Sequence, residues 1–446
     1  MKKIFTFLLL CSLFLNQSTA QQWSLVGAKA FSDGEAFSQQ ILLVDDTPYV
    51  AYQDKANGDK ATVMKFNGTN WEPVGSKGFT PGKVSSLGFA NGNGTLYIAF
   101  SDAANGNKAS VMKFDGTAWV NVGPAGFTQA RCDVISIDTD NGIPWVALED
   151  VMLNSKITVM KFTGGNWTTV GTPGFNTGGM TNVIHLDVEN GIPFVLYRDY
   201  GASYKASVMK FDGTNWVLLG QQGFSGGTYD AYHGLAVKNG IPYVAAWESD
   251  AKATVYKLNG STWAILGNPN FSDGQASYMN IRFSPDGTPF VVFKDVGKAN
   301  KASLMKLDGS NWVQVGNAFS TGNATYTSLA FSADGNPYVA FRDEASMRRT
   351  TVMKYASVTG LSDLNRDEKI EVYPNPNNGI FTIDLPNAGA VKYSVEIINL
   401  TGQIVYSGKL LQGNEHQINL KGKLKGIYLL KVEQGAETFQ KKIIVR

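Results

Sequence analysis

Hydrophobic positions along this chain fall in short runs in which apolar residues occupy both alternating sets of positions. Tyr338-Val-Ala-Phe341 and Pro144-Trp-Val-Ala-Leu148 are examples. Gly, Asn, Asp and Pro fill the gaps between runs, as strand-and-turn chemistry requires. No window keeps a 3.6-residue apolar period, so very little helix is expected. A strand that is apolar on both faces must be covered on both faces.

The runs repeat. Lys-Ala-Ser-Val-Met-Lys-Phe-Asp-Gly-Thr-Asn-Trp, from Lys205 to Trp216, has close copies ending at Trp71, Trp119, Trp167, Trp263 and Trp312. With Trp23 at the start, the tryptophans stand 48, 48, 48, 49, 47 and 49 residues apart. A near-constant period of this length marks a repeat architecture. Each unit reads as four strands: Trp-x-x-Val-Gly, a brief apolar segment (134–137, 328–331), a strand after an Asn-Gly-Ile-Pro type of turn, and Ala-Ser-Val-Met-Lys-Phe. Sheets covered on both faces, repeated seven times, are satisfied by a ring of radial blades with few open edges. The fold expected for 21–356 is therefore all-β, a seven-bladed β-propeller of about 48-residue four-stranded repeats. The turn Asp212-Gly-Thr-Asn215 makes each fourth strand hairpin onto the next tryptophan strand. That leaves 23–27 and 351–355 without partners, and pairing them closes the ring.

A charge pair also recurs: Asp54/Lys60, Asp102/Lys108, Asp150/Lys156, Asp199/Lys205, Asp295/Lys301 and Asp343/Arg349. Six residues apart across a hairpin, each is expected to close its turn as an ion pair worth about 0–1 kcal/mol. The alternative is a ring of acids binding cations on one face.

Composition narrows the function. Of 446 residues 43% are hydrophobic and 17% charged, with a net charge of +2, which is globular and gives no electrostatic case for nucleic acid. Residues 1–20 read as a secretory signal peptide: Lys2 and Lys3, an apolar core at 4–15, and Ser18-Thr-Ala20 with cleavage after Ala20. That core is too short to span a membrane, and no transmembrane segment is expected elsewhere. After cleavage one cysteine, Cys132, remains, so no internal disulfide forms. A monomer is expected.

Residues 357–369 read as a polar linker, and Asp363-x-Asn365-x-Asp367 within it lacks the glycine and bidentate acid of a calcium loop. Residues 370–446 alternate in short strands, as a small C-terminal β-sandwich would. Val372-Tyr-Pro-Asn-Pro-Asn-Asn-Gly-Ile-Phe381, Gly426-Ile-Tyr-Leu-Leu-Lys-Val432 and Lys441-Lys-Ile-Ile-Val-Arg446 resemble the C-terminal sorting domain (type A) of the Bacteroidota type IX, or Por, secretion system. Pro374, Asn375, Pro376, Gly379, Gly426 and Tyr428 carry the match. The resemblance implies partnership with that machinery and its sortase, export across both membranes, removal of the module, and surface attachment or release. It says nothing of the cargo's activity.

Catalytic signals are sparse. The three histidines, His185, His233 and His416, lack metal-ligand spacing, and no nucleophile elbow, phosphate loop or His-Glu-x-x-His is present. Ser32-Asp-Gly and Ser272-Asp-Gly lack the remainder of a sialidase box. No cofactor is expected. Carboxylates from remote repeats can still converge in a ring. An acidic pair in the central channel beside arginines would favour an enzyme, and an aromatic-rich face would favour a binder.

Binding residues are sought where repeats diverge. Trp247 stands where other units have Gln53, Ser101, Glu149, Arg198, Lys294 and Arg342. It is a candidate stacking platform for a sugar ring, or it refills the core gap left by Ala246. Tyr229, Tyr232 and His233 in the same unit, with Tyr200 and Tyr204 in the one before, join it as ligand-binding candidates. Tyr278 and Tyr326 occupy comparable loops. The repeat is loosely similar to tectonin- and kelch-type propeller repeats, some of which belong to lectins. It lacks the paired glycines of kelch, and no residues carry over. The reading is an exported, non-catalytic binding module for glycan or protein, with a glycan-processing hydrolase or lyase as the alternative.

Overall fold

The computed structural model describes residues 21–178, 183–227, 233–357, 371–384, 392–399, 403–411, 416–420, 422, 425–434 and 437–446. The signal-peptide and linker assignments, with Tyr229 and Tyr232, lie outside them apart from Ser357, which ends a strand. The chain divides into two compact units, one formed by Gln21–Ala356 and one running from Ser357 to the end.

The first unit is seven antiparallel sheets of four strands. The inner strands are Ala36–Val44, Val84–Gly92, Ile135–Asp140, Ile184–Glu189, Gly234–Lys238, Ala276–Phe283 and Ala324–Phe331. Each touches the next, and the seventh touches the first. The strand Gln21–Leu25 pairs with Arg349–Ser357 and completes the seventh sheet, so the chain's two orphan strands close the ring. Seven buried apolar clusters lie between successive blades; the one joining the seventh to the first contains Val26, Ile41, Tyr52 and Val352.

The repeated tryptophan accounts for the period. Each Nε1–H donates to the carbonyl just beyond the preceding blade's outer strand, as Trp71 does to Val26 at 2.8 Å and Trp119 to Val74 at 2.7 Å. Trp23 donates to Val315 at 3.1 Å, joining the last blade to its predecessor by the same bond. A phenylalanine stacks on each indole, from Phe319 on Trp23 at 3.7 Å to Phe271 on Trp312 at 4.9 Å. The glycine of Val-Gly is required here. Gly27 has φ +69°, and a Cβ on it would lie 2.8 Å from Trp71 Nε1.

The recurrent aspartates behave differently from the expectation. Asp54 and Lys60 do face each other in backbone register. Yet among the described residues none of the six recurrent pairs is an ion pair. Asp102 is fully buried and accepts from Ala104 N, Asn105 Nδ2 and Ser110 Oγ at 2.8–3.0 Å, capping the short 3-10 turn that follows. Uncompensated turn N–H groups inside the hairpin outcompete a solvated lysine for the carboxylate. Ser32 and Ser272 are structural too: their hydroxyls accept from Thr350 N and Ala253 N at 3.0 Å.

The second unit packs a three-stranded sheet, containing Ile380–Asp384, against a four-stranded one containing Gly426–Gln434. Phe381, Ile383, Val395, Ile397 and Leu430 fill its core as a small sandwich. Asn375 brackets the last strand, donating to Lys442 O at 2.7 Å and accepting from Ile444 N at 2.9 Å. Gly379, with φ +95°, takes the turn a side chain would resist, and Tyr428 lies in the core.

Candidate functional site in the central channel

Strand register sets the chemistry of the channel level by level. Gln40, Gly88, Ser136, His185, Gly234, Asn280 and Ser328 form one level. Two residues further along each inner strand stand Leu42, Ala90, Asp138, Asp187, Ala236, Arg282 and Ala330, each opposite an aromatic of the neighbouring strand. All seven inner strands line a cavity of about 970 Å³.

Polar side chains at these levels fasten one inner strand to the next. Gln40 donates to Leu87 O and accepts from Phe89 N, both at 2.8 Å, and Asn280 accepts from Leu329 N at 3.1 Å. Asp138 Oδ2 accepts from Val188 N at 2.6 Å and Asp187 Oδ2 from Val237 N at 2.9 Å. Arg282 Nη1 donates to Ile281 O at 2.9 Å and Leu235 O at 3.3 Å, yet the residue is exposed.

Electrostatics sets this level apart. Burial pushes the Asp138 carboxyl up to about 6, against hydrogen bonds from Val188 and Thr139 and the Arg282 charge. Burial and then the Asp138 charge push Asp187 up to about 7. His185 is held down at about 4 by burial and by Arg282, and it hydrogen-bonds the backbone of His233. His233, 3% exposed, is held down at about 3 by burial, then by His185 and Arg198, and among the described residues its Nδ1 has no hydrogen-bond partner. Both imidazoles are neutral at pH 7. Cys132, by contrast, is an inert core thiol, pushed by burial up to about 12.

Where the inner strands of the first, sixth and seventh blades begin, Phe37, Tyr278 and Tyr326 form an aromatic cluster. Bulges at Phe37/Gln40, Ser277/Asn280 and Thr325/Ser328 put Ser38, Tyr278 and Tyr326 at φ +53° to +56°. A tyrosine held in the left-handed region is uncommon and clusters at functional positions. The Tyr278 and Tyr326 rings lie 4.9 Å apart, and the Arg342 guanidinium lies 4.8 Å from Phe37 and 5.1 Å from Tyr326.

The residues singled out in the sequence are dispersed. Tyr200 and Tyr204 are 52% and 40% exposed and meet edge to face at 5.1 Å, with the Arg198 guanidinium 4.4 Å from the Tyr204 ring. His233 lines the cavity. Trp247 is half-buried against Ala276, Met279 and Phe293, and its Nε1–H donates to Ala276 O. Trp247→Ala is accordingly expected to cost about 2–3 kcal/mol in urea unfolding; unchanged stability would return the indole to the ligand candidates. Asp138, Asp187, Arg282 and His185 were not singled out. Their signal is an ionisable residue at inner-strand positions that other blades fill with Leu, Ala, Gly, Ser, Gln or Asn. Among the described residues no group of three or more His, Cys, Asp or Glu is placed to hold a metal ion.

Residues 371–446 match the family described as the secretion system C-terminal sorting domain. The ulvan lyase NLR42 of Nonlabens ulvanivorans is 36% identical over 90 residues, 20% of this chain and 16% of the lyase, so the match spans about a sixth of that relative. A fungal alcohol oxidase of the AA5 family, in complex with copper, is similar at TM-score 0.50 and 12% identity, over 96% of this chain and 99% of the oxidase. SapL1 lectin in complex with alpha-methyl fucoside reaches TM-score 0.45 and 14% identity, over 66% of this chain and 99% of the lectin. At such identities the likeness concerns the fold alone. No described helix is long and apolar enough to cross a membrane. Residues 371–446 are thus a type IX secretion C-terminal sorting domain, and the chain carries a seven-bladed β-propeller as cargo for export, to be attached at the cell surface or released.

Proposed function

We propose that the exported propeller, residues 21–356, is a binding module that takes a glycan at the aromatic end of its central channel. The linker is 357–369, and the module from 370 is removed after export. The observation that carries this is the cluster of Tyr278, Tyr326, Phe37 and Arg342, whose two tyrosines line the polar cavity. Rigid aromatics stack on the apolar face of a sugar, while neighbouring polar groups take its hydroxyls. A second reading, a glycan-processing enzyme, is favoured by one feature, the Asp138 and Asp187 pair beside Arg282. Carboxyls with raised affinity for protons are what acid–base chemistry on a glycosidic bond uses.

The test is a glycan array with the secreted full chain, beside Tyr278→Ser and Tyr326→Ser. Serine already occupies the equivalent bulge at Ser38 with φ +54°, so both variants fit the backbone. Retention on a defined sugar class, weakened at least about tenfold in both variants at unchanged melting temperature, is expected for a hot-spot aromatic. Equal retention by all three proteins would refute the rim as the binding face. Cleavage of the retained glycan, abolished by Asp138→Asn, would put the enzyme reading in its place.

A further inference from the structure

Seven-fold repetition makes deviation legible. At the level of Asp138 the ring has seven equivalent positions, and four are plain hydrocarbon: Leu42, Ala90, Ala236 and Ala330. The other three, in the third, fourth and sixth blades, are ionisable. Fastening inner strands together does not require this, because Ser136 and Ser328 do it with uncharged hydroxyls at 3.1 Å, to Leu186 N and Ile41 N. Placing two half-buried carboxyls where they repel each other is unfavourable, and such placements persist at functional sites.

We propose that this level of the channel is a subsite for one uncharged sugar unit, the terminal residue of the glycan held at the rim. The subsite deepens the binding reading above and rests on it. Its chemistry is amphipathic in the way a pyranose is. One arc offers the hydrocarbon of Leu42, Ala90 and Ala330. The opposite arc offers Asp187, whose Oδ1 lies outside the Val237 bond, the Asp138 carboxyl, and the guanidinium of Arg282 with donors beyond its two carbonyl bonds. Guanidinium N–H groups donate to hydroxyl oxygens while carboxylates accept from hydroxyl hydrogens, so vicinal hydroxyls are matched on both counts. A separate observation concerns the cavity wall: among the described residues the buried Nδ1 of His233 has no hydrogen-bond partner. A buried polar atom without a partner is a place for a ligand hydroxyl or a water that a ligand displaces. Charge selects against alternatives. A sugar acid would meet two carboxyl groups against one guanidinium, whereas the ammonium of an amino sugar would be drawn to those carboxyls, so charge discriminates against the acid.

The experiment is calorimetric titration of the full chain with methyl glycosides of uncharged hexoses, 6-deoxyhexoses and pentoses, with a hexuronic acid and an amino sugar as comparators. Binding of at least one uncharged glycoside is expected, weakened about tenfold or more in Asp187→Asn and in Arg282→Gln. The hexuronic acid is expected to bind about tenfold more weakly than its uncharged parent. The amide oxygen in Asp187→Asn still accepts from Val237 N, and melting temperature checks that each variant folds. No uncharged glycoside bound, a sugar acid preferred, or binding indifferent to both substitutions would each overturn the subsite. Glycan retention at the rim that persists alongside any of these results leaves the binding module standing without the subsite. Silence in both experiments removes both.

Discussion

Removing residues 21–27 is expected to open the ring and lower the melting temperature by more than any single surface substitution. The segment supplies the seventh sheet's last strand. With it go the Trp23 to Val315 bond, the Trp23 stack on Phe319, and the Val26 carbonyl that Trp71 uses. A buried tryptophan removes about 150–250 Å² from water, worth about 4–6 kcal/mol of transfer free energy. Trp23 is only part-buried, so Trp23→Ala alone is expected to cost about 3 kcal/mol. The deletion costs more, because Val26 leaves the cluster between the first and last blades and Val26 N no longer donates to Val352 O at 3.0 Å. It also bares the edge of Arg349–Ser357, a template for another chain. Scanning calorimetry and light scattering separate the two effects: Trp23→Ala lowers the transition while remaining dispersed, and the deletion lowers it further and self-associates. A melting curve unaltered by the deletion would mean that the ring does not depend on its closing strand.

The fold was legible because its cause is local and repeated. One tryptophan, one phenylalanine and one Val-Gly or Leu-Gly per unit specify the same inter-blade bond seven times, and the two strands left over had only each other. The tail was legible for a different reason. Its motif residues meet in space, with Asn375 gripping Ile444 and Lys442 at the far end of the module. What stayed hidden depended on direction or on closure. Asp54 and Lys60 do oppose each other, but whether the carboxylate turns outward to lysine or inward to the turn is decided by N–H groups without a sequence signature. Trp247 diverges from its repeats, as a ligand residue would, yet its indole packs in the apolar cluster on one side of its blade, while Ala246 faces the cluster on the other side, so the indole is core without refilling the gap at Ala246. The channel charges lie one in each of three repeats, about 49 and 95 positions apart. They become neighbours only once seven blades close, so no local spacing announces them. The divergence test applied to Trp247 would have found them had it been applied to the inner strands.

Asp187→Asn is expected to make the protein more stable at pH 8 and to leave it nearly unchanged at pH 4. In the unfolded chain an aspartate titrates near 3.8, whereas in the fold Asp187 is pushed up to about 7 and Asp138 to about 6. Between those limits the native state holds protons that the unfolded chain has released. Stability from these carboxyls is therefore complete below about pH 4 and is lost as pH rises to about 7. His185 and His233, held at about 4 and about 3, act with the opposite sign. Their unfolded forms bind protons up to about pH 6.5, so their contribution grows as pH rises from about 3 to 6.5. The acid pair and the histidine pair offset each other across that window, and the wild-type profile should be nearly flat there. Arg282, Asp140 and Glu189 are the other charges acting on the carboxyls. Asp187→Asn removes one falling limb, so stability should rise with pH and exceed wild type at pH 8 by up to about 4 kcal/mol, taking 1.36 kcal/mol per pKa unit between 3.8 and about 7. Urea unfolding at pH 4, 6 and 8 reads this directly. A gain of stability at pH 8, together with weaker sugar binding, is the mark of a carboxylate kept for a ligand at the expense of the fold. A loss instead would make Asp187 a fastener between blades, like Ser136, and would take away the electrostatic reason for placing a sugar beside it.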